Sequence, residues 1–129
     1  MAGKIIADTL EHSTAGSVTT DYVVNGSAKA WANFNAITTT AVRDSLNISS
    51  LTDSATGNTT ITLTSSMSDA NYTGSMYNNA TSGVNAGSFN NDYAGGFGGR
   101  SASSYGVWSY DGTSVDSYFN DTIILGDLA

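Results

Sequence analysis

The stretch KAWANFNAITTTAVRDSLNISSLTD, residues 29–53, holds the pattern that decides how this chain folds. It contains neither Gly nor Pro, and its first apolar side chains alternate along the chain. Successive side chains of a strand point to opposite faces, so Trp31 and Asn33 share one face and Ala30, Ala32 and Phe34 the other. Leu46 and Ile48 alternate in the same way, and Leu51 then falls one residue out of phase. A β-bulge near Ser49-Ser50 returns Leu51 to the buried side. Asp53-Ser54-Ala55-Thr56-Gly57-Asn58 reads as a turn. The next segment, Thr59 to Thr64, is an amphipathic strand with Ile61 and Leu63 inward and Thr60, Thr62 and Thr64 outward. The pattern predicts a hairpin of residues 42–53 against 58–65.

Composition extends the β reading to the whole chain. Ser, Thr, Asn and Gly make up 62 of the 129 residues, and charged residues only 12%. An average soluble domain carries about 25% charge. Long straight-chain helix formers are scarce, with one Glu, two Lys, two Arg and no Gln. The expected fold is all-β: an antiparallel, jelly-roll-like β-sandwich over residues 29–129, preceded by an extended N-terminal docking arm over residues 1–28. Large apolar residues are sparse for this length, which points to a core completed by neighbouring subunits and hence to a homo-oligomer.

Charge and missing residue types exclude several functions. The net charge is −7 and the pI about 4.1, the wrong sign for neutralising phosphates or anionic lipid. No nucleic-acid partner is expected. With no cysteine there is no disulfide framework and no thiol metal site. No run of 18 apolar residues occurs, so no membrane insertion is expected, and the first residues carry no Sec-type signal.

Outside the opening stretch, Thr19 to Val24 reads as a strand and Asn25-Gly26 as a type I′ hairpin turn. The arm exposes Ile5, Ile6, Leu10 and His12 as candidate docking residues. A strand is expected at 72–77 with Tyr72, Gly74 and Met76 on one face. Residues 78–103, poor in aliphatics, read as a long surface loop. The last two strands, 104–110 and 114–125, are expected to form a hairpin through Asp111-Gly112. In 118–125 apolar residues fall on both faces, Phe119, Ile123 and Leu125 against Tyr118 and Ile124, as in a central strand.

No constellation of catalytic residues is legible. His12 is the only histidine, and a lone histidine in a polar leader is more often solvated than catalytic. One His and no Cys do not make a zinc site. Nearly all of the ten Asp residues stand beside turns or strand ends, where Asp bonds the backbone, and no EF-hand pattern is present. GGFGGR, residues 95–100, fits neither a phosphate loop nor a dinucleotide fingerprint. No cofactor and no metal are expected. The six Asn-x-Ser/Thr sequons are what so much Asn, Ser and Thr produces by chance. Phe89, Tyr93, Phe97, Arg100 and Tyr105 surround the Gly-rich segment, and aromatics among Ser, Gly and Asn are the composition of recognition loops. These five are the candidate receptor contacts, with plain loop or subunit packing as the alternative. Trp31, Phe34, Arg43, Asp44, Leu46 and Ile48 are assigned to the scaffold. Arg43 could also register two copies by a bidentate contact to a carboxylate across chains.

Lys29-Ala30-Trp31, Asn33-Phe34, Arg43-Asp44-Ser45, Asn47, Ser49-Ser50, Thr52-Asp53, Gly57 and Asp69-Ala70-Asn71-Tyr72 together resemble a module of fibre-like virion proteins of tailed bacteriophages, of the marine and cyanobacterial type. His12-Ser13-Thr14-Ala15-Gly16 and Val24-Asn25-Gly26 are similar to the segment preceding that module. Two departures loosen the implied loop geometry: Ser68 stands where the module often has Pro, and Ala36-Ile37-Thr38 where a Gly-rich turn often follows. The resemblance covers about half of the chain and does not reach residues 78–110. It implies a non-enzymatic virion protein on the particle surface: a small homotrimeric fibre or knob, partnered by other virion proteins and by a host-surface glycan or protein. A capsid-decoration or head-fibre protein without an obligatory receptor is the alternative. A glycan depolymerase would need a carboxylate cluster that the sequence does not display.

Overall fold

A computed structural model describes residues 3, 5–80, 83–85, 88–89, 99–109 and 114–129. Nearly all regular structure is antiparallel β. The arm forms a hairpin, β1 (Thr9–His12) and β2 (Gly16–Thr19), followed by a short helix, α1 (Thr20–Gly26). The sandwich follows as β3 (Ala28–Asn35), β4 (Ala41–Leu46), β5 (Ile48–Ala55), β6 (Asn58–Leu63), β7 (Thr73–Ala80), β8 (Gly83–Asn85), β9 (Ser88–Phe89), β10 (Ser104–Trp108) and β11 (Phe119–Leu125). One sheet has the order β5-β6-β10-β9 and the other β4-β3-β11-β7-β8. The chain therefore lays down strands in pairs, switching sheet after each pair, and β11 closes the larger sheet between β3 and β7.

The opening stretch alternates as its sequence predicts. Ala30, Ala32 and Phe34 are buried, while Lys29, Trp31, Asn33 and Asn35 lie on the other face of β3. In β5 the register steps from Ile48↔Leu63 to Ser50↔Thr62, so Ser49 is the bulged residue. Ile48 and Leu51 both pack against the core, which is the purpose the bulge was expected to serve. Ile61 and Leu63 face inward with them.

The strand partnership differs from expectation. Residues 42–46 do not join the β5–β6 hairpin; β4 pairs with β3 in the opposite sheet. Asn47 is the cause. Its φ of 60° lies in the left-handed region, which Asn tolerates and which ends an extended run. Its side chain then replaces a strand pairing: Oδ1 accepts from Ser65 N–H at 2.7 Å and Nδ2 donates to Ser65 O at 3.0 Å. The chain thus crosses between sheets at Asn47, and Leu46 is left 47% exposed on the outer side instead of inward. Asn47→Ala is expected to cost about 2–3 kcal/mol, from left-handed strain and two lost hydrogen bonds. Asn47→Gly should recover the strain share, and equilibrium urea unfolding of the three proteins measures the split.

Three other expectations are corrected. Thr20–Gly26 is helical, not a strand and hairpin turn. Asp21 sits in its first turn, favourable at the positive end of the helix, and Lys29 Nζ donates to Val24 O at the far end. The region expected as one long loop extends β7 to Ala80 and supplies β8 and β9, one to each sheet. Finally, β10 and β11 are not a hairpin but lie in opposing sheets; the Asp111-Gly112 turn lies outside the described residues. β11 is central as expected, with Thr122 and Ile124 inward and Phe119 and Ile123 outward.

The core lies between the sheets, and alanines 30, 32 and 36 account for three of the eleven buried apolar side chains among the described residues. Its larger members include Phe34, Ile61, Met67, Tyr105 and Ile124. At one end of the sandwich a polar network ties the sheets together: Asn78 Nδ2 donates to Ser109 Oγ, which donates to Asn120 Oδ1, each at 3.0 Å. Asn120 Nδ2 donates to Ser117 O at 2.9 Å. At the other end the C-terminal residues close over Met67, with Ser68 N–H donating to Asp127 O at 2.9 Å and Ala129 N–H to Ser66 O at 3.0 Å.

Candidate recognition and docking site

The Asp69-Ala70-Asn71-Tyr72 motif leads into β7 and positions Tyr72 beside Arg100. Asp69 Oδ1 accepts from Asn71 N–H at 2.6 Å and Oδ2 from Asn71 Nδ2 at 2.8 Å, an Asx turn. These bonds, the backbone one first, hold the Asp69 carboxyl below its ordinary range. Because the folded carboxyl is the stronger acid, the turn's support is complete above the ordinary value and lost as pH falls through the lowered one. The turn delivers Tyr72 into the core, where its hydroxyl reaches Ser101 O at 3.1 Å and Ser104 O at 2.9 Å. Burial pushes the Tyr72 phenol up to about 12, with the Arg100 charge opposing. Arg100 Nη1 donates to Tyr72 O at 2.7 Å, and its guanidinium lies 5.9 Å from the Tyr72 ring centre.

Of the five proposed receptor contacts, the structure describes Arg100, Tyr105 and the backbone of Phe89. Arg100 is exposed, although one nitrogen is engaged by Tyr72 O. Tyr105 is 0% exposed, so it packs the core and cannot touch a receptor. Its hydroxyl pairs with Thr122 Oγ1 at 2.9 Å across the sheets, and burial raises its phenol to about 12. Phe89 lies in β9, whose backbone pairs with Val107. Tyr93 and Phe97 lie outside the described residues. The alternation Tyr105-Gly106-Val107 was the available signal that Tyr105 belongs to a strand face.

All four docking candidates are exposed. Ile5 and Ile6 are 90% and 83% exposed, and Leu10 lies on the hairpin. His12 is structural as well as exposed: its Nδ1 accepts from Ala15 N–H at 3.1 Å and Thr14 N–H at 3.3 Å, holding the hairpin turn. Thr20 Oγ1 donates to Ala7 O at 2.8 Å and ties the leader to the start of the helix. Val18, Tyr22, Val23 and Val24 add further exposed apolar surface to the arm.

The scaffold residues open a second surface that sequence reasoning missed. Phe34 is in the core and Ile48 packs against it, but Trp31, Arg43, Asp44 and Leu46 lie on the outer side of the five-stranded sheet or are exposed at its edge. The register of β4 on β3 steps from Asn33↔Asp44 to Phe34↔Val42, so Arg43 is a bulged residue. The bulge turns its guanidinium onto the rings of Phe119 and Tyr118, 4.4 and 4.5 Å from their centres. Those two rings meet edge to face at 4.8 Å. Arg43 Nη1 also reaches Asn33 Oδ1 at 3.5 Å, and Asn33 Nδ2 donates to Asp121 Oδ1. Tyr118-Phe119 beside a central strand was the sequence signal, hidden because Arg43 is distant in the chain.

Among the described residues no three His, Asp or Glu side chains converge as metal ligands. No protein-family model, curated protein or solved structure matches the chain.

Proposed function

We propose that this chain is a non-enzymatic structural protein of a bacteriophage particle. It acts as a small homotrimeric fibre or knob, held to other virion proteins by residues 1–28 and contacting a host-surface glycan or protein. The observation that carries this reading is the arm. Its hairpin and helix bury none of their own residues, and they expose Leu10, Val18, Tyr22, Val23 and Val24. So much unpartnered apolar surface on a short segment suits a segment that docks. The resemblance of residues 29–73 to a fibre-like module supplies the setting.

Deleting residues 1–20 is expected to abolish incorporation into particles while leaving the circular-dichroism spectrum and melting midpoint of the sandwich nearly unchanged. Full incorporation of the truncated chain would sink the docking role. Replacing Tyr93, Phe97 and Arg100 by Ala should reduce adsorption to host cells without dissociating the oligomer. Unchanged adsorption, with immunolabel on the head, would favour the decoration role instead.

A further inference from the structure

We infer that the outer face of the five-stranded sheet is the surface through which copies of this chain contact one another. The inference rests on the oligomeric part of the reading above and gives that oligomer its interface.

The register of the sheet places the relevant side chains in rows. Leu46, Trp31 and Ile123 stand directly opposite one another across β4, β3 and β11. The next row is Asp44, Asn33, Asp121 and Tyr77 across β4, β3, β11 and β7. Phe119 lies beyond it on the same face of β11, with Tyr118 and Arg43 against its ring. A solvated face of an antiparallel sheet is ordinarily polar. Here Leu46, Ile123, Tyr77, Phe119 and Tyr118 are all 40–53% exposed. Aromatic residues and Arg at the centre, with few charges, are the composition of a protein interface.

Charge identifies the occupant. The chain carries −7 overall, so two copies repel across most orientations. On this face Arg43 stands with two carboxylates, Asp44 and Asp121, while the Lys29 ammonium is drawn off to Val24 O at the end of the arm helix. Both signs therefore stand on one surface, with a sum of −1 against −7 for the whole chain. A polyanion or a basic partner would select a face of a single sign. A second copy of this face offers Arg43 a carboxylate and offers Asp44 or Asp121 a guanidinium. Arg43 is already held against two rings at 4.4 and 4.5 Å, so little side-chain freedom remains to be lost on association. The lean core fits the same conclusion, since a sheet from another copy adds a second apolar layer to a core in which, among the described residues, three of eleven are alanine.

The test is sedimentation velocity on the full chain, Leu46→Lys/Ile123→Lys and Thr52→Lys, with near-UV circular dichroism as the folding check. Thr52 is exposed on the outer side of the other sheet. The expected result is an oligomer for the full chain and Thr52→Lys, and at least about a 100-fold weaker association for the double variant. A monomeric full chain overturns the inference and the oligomer together. An oligomer that survives the double substitution, or dissociates equally in Thr52→Lys, overturns the interface alone. Should the double variant misfold, Ile123→Cys decides. The chain has no other cysteine, and facing sheets lie about 10 Å apart, within reach of a bis-maleimide of similar span. Cross-linked Ile123→Cys, against uncross-linked Thr52→Cys, is the expected outcome; equal yields overturn the interface.

Discussion

Replacing Gly57 by Ala lowers the stability of the sandwich by about 3–4 kcal/mol, a fall of about 10–15 °C in melting midpoint. Two causes act together. Gly57 has φ of 72°, where an L side chain costs about 1–2 kcal/mol. A Cβ at this position would also stand 2.6 Å from Ser109 O and 2.8 Å from Val115 N. Both obstacles are backbone, so the turn itself must shift. That shift loosens two bonds which dock the β5–β6 turn on the segment between β10 and β11. Ser109 N–H donates to Gly57 O at 2.8 Å, and Gly57 N–H to Asp116 Oδ1 at 2.7 Å. Gly16 supplies the control. Its φ is 95°, yet nothing lies within 4 Å of its would-be Cβ. Gly16→Ala strains only the exposed arm hairpin, and the midpoint of the sandwich should stay in place. Differential scanning calorimetry of both variants separates strain from overlap; equal losses would refute the close-approach argument.

Asn120→Leu is expected to cost about 3 kcal/mol although the number of side-chain heavy atoms and the branching are unchanged. Asn120 is 1% exposed and joins both sheets through Ser109 Oγ and Ser117 O. Leucine removes the acceptor of the Ser109 hydroxyl and one of two donors to Ser117 O, which keeps Ala36 N–H, and the network has no slack to replace them. Asn78 Oδ1 and Ser117 Oγ already lack a hydrogen-bond partner among the described residues. Asn120→Asp makes the electrostatic cost visible. A carboxylate there loses solvation and faces an oxygen acceptor at Ser117, so burial raises its folded pKa above the unfolded value. A raised carboxylate destabilises at neutral pH and recovers as pH falls through the raised value, because the folded state then binds the proton more tightly. The stability gap between Asn120→Asp and the parent chain should therefore narrow in acid, while the gap for Asn120→Leu stays constant. Urea midpoints at two pH values check this. A gap that does not narrow would place Asn120 in contact with water.

The natural chain should lose stability in alkali by the same linkage. Tyr72 and Tyr105 have their phenols raised from 10.0 to about 12, chiefly by burial. Between those values the unfolded chain releases protons that the folded chain retains, so stability falls as pH rises through that window. Tyr105→Phe should flatten part of the decline, at the expense of the bond to Thr122 Oγ1.

Legibility followed the range of the interaction. The face assignments of β3 and β6, the bulge at Ser49 and the central place of β11 follow from alternation within a few residues, and chain-local sterics enforce alternation. The all-β class followed from composition for a related reason, since so few helix formers leave little but strands and turns. The arm residues Ile5, Ile6 and Leu10 were legible as exposed because no periodic apolar pattern surrounds them.

Strand partnership was decided only in three dimensions. β4 left its expected hairpin because Asn47 takes a left-handed conformation that its bonds to Ser65, 18 residues away, hold in place. Tyr105 left the recognition group because Thr122, in the opposite sheet, accepts or donates the bond its buried hydroxyl needs. Arg43 met Tyr118 and Phe119 only because β3, which pairs with β4, also pairs with β11. The sequence by itself determined which residues extend and which faces they present, because those depend on neighbours along the chain. The tertiary structure alone decided which faces meet, because the hydrogen bonds and packing that select a partner join residues far apart in the sequence.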